Sequence, residues 1–155
     1  MVYIIQYIFS VFMVFFSGFV TWYEGSELRD KPWEWGYSAI FSKIMIGKVT
    51  VENDISGLDH FIYAAKFKPV FPLLFTISLL YLFIVIAWNL LRSNMNLLVI
   101  FHSALGGSLL VLSLLIVESP TMGLNLFTWF FVVTGILNFF IAVILRVRVN
   151  YVSMA

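Results

Sequence analysis

Four stretches without a single Lys, Arg, Asp or Glu constrain this chain more than anything else in it. They cover residues 1–23, 69–91, 93–117 and 119–145, with lengths of 23, 23, 25 and 27. A bilayer core about 30 Å thick is crossed by about 20 apolar residues in a helix. In hydrocarbon each backbone amide must find its partner inside the segment, which selects the helix for every run. Four spans are therefore expected, at 2–23, 70–91, 96–117 and 124–145. The composition leads to the same place, with 62% hydrophobic and 11% charged residues and a mean hydropathy of +1.01. Soluble domains carry about a quarter charged residues, and a 155-residue surface in water could not be clothed with so few.

The charge that exists is concentrated. Between Trp22 and Pro72 lie 13 of the 17 charged side chains, six basic and seven acidic. The predicted architecture is an all-α integral membrane protein, a four-helix bundle with a small extracytoplasmic loop domain at 24–69 between the first two spans. No basic residue precedes Arg29, so the first run lacks the basic start of a secretory signal and reads as an uncleaved helix. Trp22 and Tyr23 at its end suit the headgroup level, where amphipathic aromatics collect.

Within the loop, Trp33, Trp35 and Tyr37 fall in five residues beside Pro32 and Gly36. They form a candidate partner surface, with packing against the membrane surface as the plainer reading. Residues 41–46 and 49–52 are rich in β-formers, and Gly47-Lys48 between them fits a type II′ connection, so a β-hairpin is expected. Ser56-Gly57-Leu58-Asp59 resembles a capping box. From there Leu58, Phe61, Ile62 and Ala65 recur at helical spacing, with Lys66 and Lys68 at the negative end of the helix dipole. This predicts a short amphipathic helix along the interface.

Four spans put both termini and the Arg92 turn on one side, and the loop and the Glu118 turn on the other. The first side carries Arg92, Arg146 and Arg148 without an acid, and the second carries six basic and eight acidic residues. A bare count of Lys and Arg favours the loop side for the cytoplasm. The loop's bases are interleaved with acids, however, and the positive-inside rule is sharpest for short connections. The termini are placed in the cytoplasm and the loop outside, in a multi-pass plasma-membrane protein.

Polar residues inside spans are where function would lie, because hydrocarbon penalises an unpaired one. The third span holds His102, Ser103, Gly106 and Gly107, and the fourth holds Thr134 and Asn138. The small residues permit close helix approach. At a rise of 1.5 Å per residue, His102 lies about 9 Å in from Asn96 and Asn138 about 12 Å in from Arg146. Spans three and four are therefore expected to pack closely, with these two side chains in reach of each other. With no carboxylate in the spans, His102 is read as a neutral structural histidine rather than a proton carrier.

Catalytic signatures are absent. There is no Gly-rich phosphate loop, no Gly-x-Ser-x-Gly and no His-Glu-x-x-His. The chain has no cysteine, hence no disulfide or thiolate chemistry. Its two histidines fall in different environments, and the acids near Asp59 lack the spacing of a calcium loop. The loop's bases form no single-sign block for nucleic acid. No catalytic, cofactor-binding or metal residue is assigned, and the chain is not read as an enzyme.

The run Trp22-Tyr23-Glu24-Gly25-Ser26-Glu27, followed by Pro32-Trp33-Glu34-Trp35 and Phe41-Ser42, resembles small bacterial membrane proteins of the YjdJ type. The resemblance covers the first span and the loop and implies a Gram-positive plasma-membrane protein. It carries over no active-site residue, that family being of unknown function. The expected role is a non-catalytic scaffold or accessory subunit, its partners being the lipid bilayer and a membrane protein or further copies of itself. An oligomeric transporter or channel subunit is the alternative. A third reading is an interfacial enzyme using Glu24, Glu27, Asp59 or His60.

Overall fold

The computed structural model describes residues 2–154. In chain order the helices are α1 (Val2–Gly25), α2 (Trp35–Ser38), α3 (Ile40–Ile46), α4 (Gly57–Phe67), α5 (Val70–Leu91), α6 (Met95–Ile116) and α7 (Met122–Met154). Short 3-10 turns at Ser26–Asp30, Pro32–Glu34 and Glu52–Asp54 join the early ones. Among the described residues, four helices are long and apolar enough to cross a membrane. The chain divides into two compact units, Met1–Leu80 with Thr121–Gly123, and Tyr81–Pro120 with Leu124–Ala155.

The first unit is built on the docking of α4 against the end of α1. The Trp22 ring lies 5.6 Å from the His60 ring, and on another side of α4 Phe61 meets Phe75 of α5 at 5.4 Å. At Gly25 the two backbones touch, since a Cβ there would come within 2.0 Å of the His60 carbonyl oxygen. A small core of Leu28, Ile55 and Tyr63, with Trp35 and Val49 against it, closes the polar segment over this junction. Its periphery is tied by ion pairs from Glu27 to Lys31 at 3.3 Å and to Lys68.

The expected β-hairpin is not there. Among the described residues no strand occurs, and the segment forms α3 and a 3-10 turn instead. Two isolated strands are marginal in water, whereas the start of α3 has a ready partner. The Asp59 carboxylate accepts from the Phe41 amide at 2.7 Å and the Ser42 amide at 3.0 Å, two of the orphan donors of a helix N-terminus. Gly47 does adopt the positive φ expected of it, +81°. It uses that freedom to end α3, in a γ-turn closed by Lys48 N–H donating to Ile46 O at 3.1 Å.

The capping residue Ser56 accepts from the Leu58 amide at 3.3 Å, but Asp59 does not complete a capping box, being committed to α3. The buried face of α4 is Asp59, His60, Tyr63 and Ala64, one position round from the apolar stripe through Leu58 and Ile62. Two of these side chains are tied by hydrogen bonds from other elements, Asp59 to α3 and the Tyr63 hydroxyl to Lys31, which offset the cost of burying them.

In the second unit α6 buries Leu98, His102, Gly106, Leu109 and Ser113, a stripe at three- and four-residue intervals. On α7 the buried positions include Phe127, Asn138, Ala142 and Leu145. That helix continues to Met154, beyond the apolar run that ends at residue 145.

Candidate functional site

The structure brings together the polar residues of α6 and α7. His102 and Asn138 are both buried, and His102 Nδ1 lies 2.8 Å from Asn138 Oδ1. The Asn138 amide nitrogen donates to Thr134 O at 2.9 Å, which leaves its oxygen as the acceptor and puts the imidazole proton on Nδ1. Thr134 thus serves through its carbonyl. One turn along α6, a Cβ at Gly106 would come within 2.9 Å of Gly135 O. This is the close backbone approach that allows two short polar side chains to meet. Gly107 is less constrained, its nearest contact being Phe139 Cζ at 3.8 Å, and Ser103 is half-buried. Further along, Arg146 donates to Asn96 Oδ1 at 3.1 Å.

The aromatic turn divides into one structural and two displayed residues. The Trp35 indole donates to Leu28 O at 2.8 Å and packs on the core. Trp33 and Tyr37 are 68% and 73% exposed. The turn between them is held from α4, where Lys66 donates to Tyr37 O at 2.8 Å and to Ser38 Oγ at 3.1 Å. Burial is the main cause holding the Lys66 ammonium below the ordinary lysine pKa; Glu34 opposes the shift and Lys43 adds to it.

Two of the loop carboxylates, Asp59 and Glu27, have structural duties. Asp59 is fully buried and also accepts from the Ser42 hydroxyl, whose oxygen accepts in turn from the Ser56 amide at 2.7 Å. In the sequence Ser42 stands only as part of the Phe41-Ser42 pair of the resemblance, with no role attached; only the fold brings it to Asp59. Glu27 anchors Lys31 and Lys68, and Lys31 also donates to the Tyr63 hydroxyl. That hydrogen bond, ahead of the one to Glu27, raises the pKa of Lys31. Glu24 is half-buried.

His60 is the exception. It is fully buried and neither ring nitrogen has a hydrogen-bond partner. Burial first, and then the charge of Arg29, hold its pKa below the ordinary histidine value; the Trp22 backbone and Asp59 pull weakly the other way. The Trp22 group that favours the charged ring falls short of hydrogen-bond geometry. Among the described residues no three His, Cys, Asp or Glu side chains gather as a metal-holding group. A shallow groove on α1 between Ile5, Ile8, Phe9 and Phe12 is wholly apolar.

No solved structure matches this chain. It is 42% identical over 80 residues to the uncharacterized protein YjdJ of Bacillus subtilis (strain 168), an alignment covering 50% of this chain and 73% of that relative. The family described as a domain of unknown function, DUF4306, matches residues 4–91, the segment from α1 through the α4 junction to the end of α5, and the chain belongs to that family.

Proposed function

We propose that the protein is a multi-pass plasma-membrane protein with four spans. In this reading its termini are cytoplasmic, residues 24–69 lie outside, and it works as a non-catalytic scaffold or accessory subunit. The membrane reading is supported by what the long helices expose. Phe15, Leu114, Leu115 and Trp129 face outward, side chains that gain free energy only where the surroundings are apolar. The polar groups of those helices are meanwhile spent internally. His102 pairs with Asn138, while Ser17, Thr76 and Thr128 donate to carbonyls of their own helices.

The partner reading rests on one observation, the display of Trp33 and Tyr37 on a turn made rigid by Trp35 and Lys66. Amphipathic aromatics whose backbone is ordered in advance are the residues that dominate binding surfaces. A photoreactive amino acid at Trp33, activated in intact cells and read by mass spectrometry, tests this. Repeated capture of one and the same membrane protein is expected, and capture of lipid alone would overturn the reading.

An oligomeric transport or channel subunit is favoured by a different observation. Ala104 and Ser108 stand four residues apart and exposed on α6, so a small-residue face remains open. A photoreactive residue at Ala104 that captured another copy of the chain, with nothing at Trp33, would bring that reading forward.

A further inference from the structure

We propose that the outer face of α3 rests in the headgroup–acyl boundary of the bilayer, so that residues 40–46 make a second, peripheral membrane contact beside the spans. The proposal rests on the membrane reading above and goes beyond it by giving the loop a lipid partner of its own.

The segment is built inside out for a helix in water. Its one buried side chain is Ser42, while Phe41, Ile44, Met45 and Ile46 are exposed, Ile44 by 76% and Met45 by 72%. A helix on a soluble surface turns its apolar stripe inward. Here the polar side is the one gripped: Asp59 holds the Phe41 and Ser42 amides and the Ser42 hydroxyl, and Ser56 N–H donates to that same hydroxyl oxygen. With Ser42 captured, Ile44 falls on the opposite side of the helix and points away from the protein, while Met45 and Ile46, one turn beyond Ser42, stay exposed because nothing packs over the end of this short helix.

Location and charge identify the occupant. The residues that hold α3, Ser56 and Asp59, flank Gly57, and a Cβ on Gly57 would lie 3.1 Å from the Trp22 indole nitrogen. Trp22 ends the first apolar run, where amphipathic aromatics meet headgroups. This places α3 at the same end of α1, continuous with the bilayer surface. Lys43 lies on α3, its ammonium donating to Gly36 O at the surface, and Lys48 follows it. Long cationic side chains of this kind lay their stems along apolar surface, keep the ammonium in the headgroup layer, and favour anionic lipid. A protein occupant fits less well. Seven residues span about 10 Å, and a stable protein interface needs about 800 Å² from each side, more than this helix supplies. Insertion of a few side chains into a bilayer has no such threshold.

The chain has no cysteine, so single cysteines can be labelled without ambiguity. Full-length I44C and M45C, E52C as an exposed control outside α3, and F140C as a control on an exposed position of α7 would be spin-labelled. They would be reconstituted into vesicles of phosphatidylcholine and phosphatidylglycerol. Collision with oxygen, which partitions into lipid, is then compared with collision with a water-soluble nickel chelate. Positions 44 and 45 are expected to show an oxygen-to-nickel ratio several-fold above position 52, with position 140 higher still. Ratios at 44 and 45 equal to that at 52, with 140 still in lipid, would overturn the proposal and leave the spans standing. An aqueous signal at 140 as well would bring down the membrane reading and this one with it. Labels at 44 and 45 shielded from both reagents would mean that protein covers the face, which also overturns it. Repeating the comparison at Ile46 and Asn53 guards against a label that distorts one site.

Discussion

His60 is buried in a site suited only to its neutral form, with no acceptor for either ring nitrogen and Arg29 opposing a positive charge. Its folded pKa lies below the unfolded value of about 6.5, so the unfolded chain binds the proton first. Stability is fully present above that value and is lost as pH falls through it toward the folded pKa, with a limiting slope of about 1.4 kcal/mol per pH unit for one proton. Thermal unfolding of the detergent-solubilised protein between pH 8 and pH 5 should show this decline, and H60L should flatten it. An unchanged slope in H60L would show that the loss belongs to another group. Asp59, unlike His60, has its hydrogen bonds met, with three donors on its carboxyl group. Asp59→Ala leaves those donors without an acceptor and should cost about 2–4 kcal/mol. Amide hydrogen exchange should then rise across residues 40–46 while α6 stays protected. In the sequence His60 is one of two histidines and a candidate of the interfacial-enzyme reading. Nothing in its neighbours foretold a dry site, because the groups that enclose it come from α1 and the turn after it.

Elements show where periodicity suffices and where it does not. The long helices follow their charge-free runs, and the α6–α7 contact follows from small residues at matching depth. That contact has a sharp side and a slack one. G106A would drive a Cβ to 2.9 Å from Gly135 O, and separating the backbones would stretch the His102–Asn138 hydrogen bond. It should cost about 1–3 kcal/mol. G107A meets only ordinary contact at 3.8 Å and should change stability by less than about 0.5 kcal/mol. Unfolding midpoints of the two variants in a denaturing-detergent titration check the difference. Segment 40–46 could not be settled the same way. A short apolar run serves strand and helix alike, and the deciding group, Asp59, lies 17 residues beyond Ser42. The spacing of Phe41, Ile44 and Met45 is the helical signal available there, and Gly47, which fits a type II′ connection by sequence, ends α3 instead.

For the whole molecule, the proposed topology makes a direct prediction. A membrane-impermeant thiol reagent applied to intact cells should label E52C and S119C, and should reach S93C only after permeabilisation. The reverse pattern would place the loop in the cytoplasm. The arrangement depends on short-range charge, Arg92, Arg146 and Arg148 standing without acids on one side, so adding lysines beside Glu118 should weaken it.

What the sequence determined by itself is the set of long helices and the segregation of charge between them and one connection. In the membrane reading proposed above, both follow from the cost of placing charge or unpaired backbone in hydrocarbon, which each residue carries wherever it sits. Membership in a family of unknown function was also legible, from the residues of the first run and the loop. Tertiary structure alone decided the form of that loop. Asp59 captures the start of α3, Gly25 admits the His60 backbone, and Trp35 rather than Trp33 or Tyr37 turns inward. Each of these outcomes depends on a donor, an acceptor or a space contributed by a distant part of the chain, and local propensity contains none of that information.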